Sequence, residues 1–264
     1  MYDFAYHKPK SVADASAAVK KASEGKLMAG GMTLIPTIKQ RLARPSDVVD
    51  LGGIGDLKGI KVDASGVTIG AMTKHAEVAA SADVAKAIPA LAKLAANIGD
   101  AQVRNRGTIG GSVANNDPAA DYPAALVGLG ATVHTNERKI AADDFFKGMF
   151  ETALKDGEII TAVSFPVAKK AAYMKFPNPA SRYAMVGVFV ADTAGGARVA
   201  VTGAGPGVFR VKDMEAALGK GWSADAVAGI KVPAGGLNND IHASREYRAH
   251  LVTVMAKRAV AAAG

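Results

Sequence analysis

The stretch GTIGGSVANNDPAADYPAA, Gly107 to Ala125, crowds paired glycines, paired asparagines and two aspartates between apolar ends. A second glycine pair lies upstream, in KLMAGGMTLIPTIKQRL, Lys26 to Leu42. Glycine lacks a Cβ, so it takes positive φ and lets successive N–H groups face one concavity close to a ligand. The upstream segment reads as a strand over Lys26 to Ala29, a tight turn at Gly30-Gly31, and a helix from Thr33. Pro36 falls in the first turn of that helix, where a missing N–H costs little. A helix start after such a turn adds unpaired donors that attract an anion, and the Thr33 hydroxyl can join them. Taken alone, the pair also fits an ordinary left-handed turn.

The Thr108 to Gly111 segment is a second candidate nest. Asn115, Asn116, Asp117 and Asp121 follow it, and Asp121 needs a reason. A carboxylate repels phosphate but accepts hydrogen bonds from sugar or ribityl hydroxyls, so nest and carboxylate together suit a nucleotide held along its length. Caps and Asx-turns leading into a helix at Ala119 explain the same four residues equally well.

Composition narrows the chemistry. The chain has 264 residues, 49% of them hydrophobic and 21% charged, as expected of a protein with a substantial core. Its N-terminus lacks a basic segment followed by an apolar one, and it has no run of about 18 apolar residues, so a cytoplasmic protein is expected. Cysteine is absent, which removes thiolate metal sites, cysteine nucleophiles and cysteine-ligated iron–sulfur clusters. Any redox chemistry here requires a bound organic cofactor. The formal charge of +8 is compatible with nucleic acid, an acidic partner or an anionic ligand, but no block of like charge or basic-aromatic run singles out nucleic acid. There is no P-loop. GAGPGV, Gly203 to Val208, imitates a dinucleotide fingerprint but has Val208 in place of the third glycine, and reads better as a hairpin end. His7, His75, His134, His242 and His250 are scattered without metal-ligand spacing.

Along the chain, Ser11 and Asp14 form a capping-box pattern before a helix, and Asp47 to Leu51 and Gly66 to Ala71 read as strands. An alanine-rich helix over Ala82 to Asn97 is interrupted near Pro89. ATVHTNERKIAADDFF reads as a hairpin turning near Asn136, and EIITAVSFP as a strand ending at Pro166. From Ala171 come three strands, AAYMKF, AMVGVFVAD and ARVAVTGAG, then helices over Val211 to Leu218 and Arg245 to Ala263. The change of pattern places a boundary near residue 170.

AGGMTLIPTIKQRL together with TIGGSVANNDPAADYPA resembles the two FAD-binding loops of the flavin subunits of molybdenum hydroxylases, especially the medium subunit of aerobic carbon monoxide dehydrogenases. The resemblance continues through FAYHKPKSVADA, RNRGTIGG, SRYAMVGVFV and DIHASREYRAHLVTVMAKRA, and so covers nearly the whole chain. It implies an α+β fold of the vanillyl-alcohol-oxidase (PCMH) type: FAD-binding subdomains over 1–57 and 58–169, then a C-terminal domain over 170–264 with a three-stranded antiparallel sheet and helices. By motif, Ala29, Gly30, Gly31, Met32 and Thr33 form the first FAD loop and Thr108, Gly110, Gly111 and Ser112 the second, and the resemblance implies that both hold the pyrophosphate. Asp121 takes the hydroxyl-binding place, and Tyr183 matches a tyrosine near the isoalloxazine ring. Met32 stands where many members have histidine or another polar residue, and Ser112 where many have aspartate or asparagine, so at both positions the backbone is the surer contact.

The resemblance further implies an electron-transfer role. Substrate is oxidised on a molybdopterin-containing large subunit, electrons cross two [2Fe–2S] clusters on a small subunit, and FAD on this chain delivers them to an external acceptor. The expected assembly is a heterotrimer or a dimer of heterotrimers, with any membrane association peripheral and through the complex alone. A stand-alone reductase on the same fold needs its own proton donor, and no convincing Ser/Glu set is present. The other rival, a basic nucleic-acid-binding protein, rests on net charge alone.

Overall fold

The computed structural model describes residues 1–264. Helix Val12–Lys21 starts as its sequence dictates: Ser11 Oγ accepts the Asp14 N–H at 3.1 Å and donates to the Asp14 carboxylate at 2.7 Å. Strand Asp47–Asp50 lies between Ala5–His7 and Gly25–Met28 and runs parallel to both. The helix buries Ala15 and Val19 in a small core with Val49, Leu51, Ile54 and Leu57.

A second sheet orders its strands Ile60–Asp63, Gly66–Gly70, Ile160–Phe165, Thr132–Thr135 and Lys139–Ala141, all antiparallel. The hairpin expected around Asn136 is there, closed by the Thr135 N–H on the Arg138 carbonyl at 2.8 Å. Strand Ile160–Phe165 stops before Pro166, which has no N–H to continue the ladder. Ile60–Asp63 was not anticipated: it is an edge strand exposed beyond Ile60, so it carries little apolar alternation. The alanine-rich segment splits into Ala82–Ala87 and Pro89–Ala96, with Pro89 at the first position of the second helix.

The C-terminal sheet is a meander of Lys170–Pro177, Ala184–Thr193 and Gly196–Thr202, with the two-residue strand Phe209–Arg210 at its edge. Helix Arg245–Ala263 contributes Leu251, Val252, Met255, Ala256, Ala259 and Val260 to the core on one face. Helix Tyr122–Leu129, buried at all eight positions, packs on the other. With both faces covered, Ala184–Thr193 is buried over its first eight residues and reads as an apolar run instead of an alternation. The helix begins at Tyr122 and not at Ala119, because Asp117 Oδ1 accepts the Ala119 N–H at 2.8 Å in an Asx-turn. No helix of the chain is long and apolar enough to cross a membrane.

Glu158 fastens the second sheet's hairpin to the loop before Ile160. Its buried carboxylate accepts from Arg138 Nε and Nη2 at 3.0 Å, from Thr135 Oγ1 at 2.7 Å and from the Lys155 N–H at 2.9 Å. The Arg138 guanidinium is the main cause of its pKa falling from the ordinary 4.5 to about 2. A depressed carboxylate pKa contributes stability that is present above 4.5 and lost as pH falls toward 2. Glu158→Gln should therefore be less stable at neutral pH and lose less between pH 4.5 and 2, as read by urea unfolding across that range. Phe189, fully buried and stacked 6.3 Å from Tyr173, joins the C-terminal sheet to the largest core. Phe189→Ala should cost about 3–5 kcal/mol in the same assay.

Candidate functional site

A cavity of about 590 Å³ is lined by Ala29 to Thr33, Thr108, Gly110 to Ser112, Asp121 and Tyr183, so every site residue named from the sequence reaches one space. Such a volume is ordinary for a cofactor site.

Its phosphate-scale chemistry begins at the first loop. Gly31 has φ +76°, a conformation that side chains disfavour. At Gly30 a Cβ would stand 2.1 Å from the Arg106 carbonyl oxygen and 2.9 Å from Gly107 Cα, so the chain crosses itself here with no room for a side chain. The N–H groups of Gly30, Gly31, Met32 and Thr33 donate to no group of the chain. Helix Leu34–Lys39 follows, and the Thr33 hydroxyl makes no cap bond. Met32 is partly exposed, and its free backbone N–H does not depend on its apolar side chain.

The second glycine segment corrects the sequence reading. It is not an open row of donors but the start of helix Ile109–Asn115, and the N–H groups from Ile109 to Ser112 are occupied. Ile109 donates to the Thr73 carbonyl at 3.1 Å, Gly110 to Ala71 at 2.8 Å, Gly111 to Thr108 Oγ1 at 3.1 Å and Ser112 to the Thr108 carbonyl at 3.0 Å. Gly110 is small for packing: a Cβ there would lie 2.5 Å from that of Ala71. The segment presents a tightly backed wall, with polar side chains on it.

Asp121 is buried, accepting from Tyr173 Oη at 2.5 Å and from Lys175 Nζ at 3.0 Å. Burial raises its pKa, while the Lys175 charge and both hydrogen bonds oppose that rise. Two carboxylate oxygens still have lone pairs to offer the cavity after these bonds. Tyr183 is 47% exposed and stands next to Arg182, which has φ +63°. Its hydroxyl pKa is raised by desolvation first and then by the charges of Asp117 and Asp121, which line the same cavity.

Two of the lining residues that the sequence reading did not assign to the site stand out. His75 is 4% exposed, its Nδ1 has no partner, and burial lowers its pKa to about 4, so it is a neutral imidazole at pH 7. Only folding reveals it, since the Lys74–Thr108 bridge and the bond from its own N–H to the Gly107 carbonyl bring it to the glycine segment. Phe150, at a hairpin tip, is the other. The backbone crossing makes a prediction. Gly30→Ala should cost about 1–3 kcal/mol by overpacking. Gly111→Ala should cost less, because its Cβ meets Thr108 Oγ1 at 3.0 Å and Ala29 Cβ at 3.2 Å and meets no backbone atom. Thermal melts of the two variants in the opposite order would contradict the crossing.

Comparison with known proteins identifies the family of the chain. Residues 2–168 match the family described as FAD binding domain in molybdopterin dehydrogenase. The nicotine 6-hydroxylase medium subunit of Paenarthrobacter nicotinovorans is 36% identical, with 98% of this chain and 96% of that one aligned. The carbon monoxide dehydrogenase medium chain of Hydrogenophaga pseudoflava is 34% identical over the same shares of the two chains. Among solved structures, a chain of the reconstituted CO dehydrogenase from Oligotropha carboxidovorans superposes with a TM-score of 0.90 at 34% identity, covering 99% of this chain and 98% of its own. The α+β architecture is thus the flavoprotein fold that the motifs imply, and the chain belongs to the FAD-binding subunits of the molybdopterin dehydrogenase family, oxidoreductase components whose cofactor is FAD.

Proposed function

We propose that this chain is the electron-transfer medium subunit of a molybdenum hydroxylase resembling aerobic carbon monoxide dehydrogenase. The observation that carries the reading is the run of four unpartnered N–H groups, Gly30 to Thr33, on a cavity lined by all the motif residues. Those donors suit the FAD pyrophosphate; the absence of a Cβ at Gly30 lets the loop cross the Arg106–Gly107 backbone just before the second segment, and Gly31 takes φ +76°. Thr108, Gly110, Gly111 and Ser112 form a wall of the site, and Ala29 leads into the loop. Asp121, anchored by Tyr173 and Lys175, accepts from the cofactor's hydroxyls, and Tyr183 bounds its ring.

Bound FAD supplies the redox chemistry, accepting electrons from the partner's clusters and releasing them to an external acceptor. The chain's residues bind it, orient it and set the electrostatics around it. Because the chain has no cysteine, the [2Fe–2S] clusters belong to a small partner subunit, and the molybdopterin to a large one. We place the assembly in the cytoplasm as a heterotrimer or its dimer, and divide this chain at 57/58 and 169/170, between its three main sheets.

With FAD bound, the isolated chain should be bleached by dithionite but not by carbon monoxide, an aldehyde or a purine. Reconstitution with both partners should restore bleaching by the complex's substrate. Tyr183→Ala should change the rate or potential of that reduction while leaving much of the FAD affinity, since the pyrophosphate donors are untouched. Substrate-driven bleaching of the isolated chain at the rate of the complex would show a self-sufficient enzyme instead.

A further inference from the structure

Phe150 occupies the second position of a two-residue turn, Met149-Phe150, that joins strand Phe146–Gly148 to Glu151–Thr152. Its φ is +57°, where a turn ordinarily takes glycine or asparagine. Its ring is 57% exposed, yet it lines the cavity. Local preference and solvent thus both disfavour phenylalanine here.

The surroundings hold it there. Asn116, 1% exposed and itself at φ +43°, donates through Nδ2 to the carbonyls of Gly148 and Glu151, both at 2.8 Å, and its own carbonyl accepts the Phe150 N–H at 3.2 Å. Tyr183 is mounted the same way. Buried Asn178 accepts the Ala180 and Ser181 N–H groups through Oδ1, receives the Arg182 N–H on its carbonyl at 2.8 Å, and donates its own N–H to the Tyr183 carbonyl at 2.8 Å. Four non-glycine residues of the chain have positive φ: Arg41, Asn116, Phe150 and Arg182. Phe150 and Arg182 line the cavity, and Asn116 lies between Asn115 and Asp117, which also line it. Backbone strain of this kind persists where the surrounding structure over-determines it, and it clusters at ligand clamps.

We propose that Phe150 is a second aromatic contact to the cofactor, set by the Asn116 brace at the same end of the cavity as Tyr183, so that the flavin ring is bounded by both side chains. This rests on the reading of the cavity as the FAD site. The shared end follows from the segment Asn116 to Ala119: the Asn116 carbonyl accepts the Phe150 N–H at 3.2 Å, and the Ala119 carbonyl accepts at 3.3 Å the N–H of Ala184, the residue after Tyr183. An exposed phenyl ring gains by covering a flat aromatic surface, which compensates for its unfavourable backbone.

The test uses the full chain titrated with FAD and with FMN, which lacks the adenylate half. Phe150→Gly should leave the melting temperature of the ligand-free chain within ~2 °C or raise it, since glycine accepts φ +57°. The same variant should weaken both FAD and FMN about tenfold. Phe150→Trp should bind both ligands within about twofold of the unaltered chain, its new indole fluorescence quenched as flavin is added. Unchanged affinities in Phe150→Gly would overturn the proposal and leave Phe150 a turn residue only. Weakened FAD with unchanged FMN would overturn the placement at the flavin ring. Failure of the unaltered chain to bind either ligand would instead contradict the reading of the cavity itself.

Discussion

The structure depends on one close approach, the crossing of Gly30 over the Arg106 carbonyl, where a Cβ would stand only 2.1 Å away. Here the small parallel sheet at the N-terminus meets the segment that begins helix Ile109–Asn115. The Gly30 to Thr33 N–H groups have no partner within the chain and lie half-buried or exposed at the cavity, so they remain available as donors. Behind the loop, the donors of the second glycine segment are consumed by Thr73, Ala71 and Thr108, which makes that segment rigid and not adhesive.

Charge divides the cavity accordingly. The free N–H groups of Gly30 to Thr33 attract an anion, while the carboxylates of Asp117 and Asp121 on the same cavity repel one. Only Asp121 has a cationic partner, Lys175, and that salt bridge is buried against the Tyr173 hydroxyl. An extended ligand with an anionic middle and uncharged ends would seat its middle at the free N–H groups and keep it from the carboxylates. Tyr183 and Phe150, which line the cavity, are both held by buried asparagines, so their exposure is structural and not the result of a loose loop.

Much of this was legible in the residues. Ser11 and Asp14 announced the first helix, Asn136 the hairpin, Pro89 the break between helices, and every motif residue reached the cavity. What escaped were features made by contacts between distant segments. TIGG looks locally like an open nest, and only its pairing with Ala71 and Thr73 shows that its donors are taken. Edge strand Ile60–Asp63 is recognisable by its partner Gly66–Gly70 and not by its own exposed side chains. His75 and Phe150 carry no spacing signal, because Gly107 and Asn116 bring them to the site.

The central claim is that the cofactor's pyrophosphate is held by the first loop's backbone while the second segment stands behind it. Residue-resolved amide hydrogen exchange of the full chain, with and without FAD, tests this directly. The account predicts that Gly30, Gly31, Met32 and Thr33 exchange freely without ligand and gain protection with it, while Ile109 to Ser112 are protected in both states. Protection gained by Ile109 to Ser112 with none at Gly30 to Thr33 would contradict it.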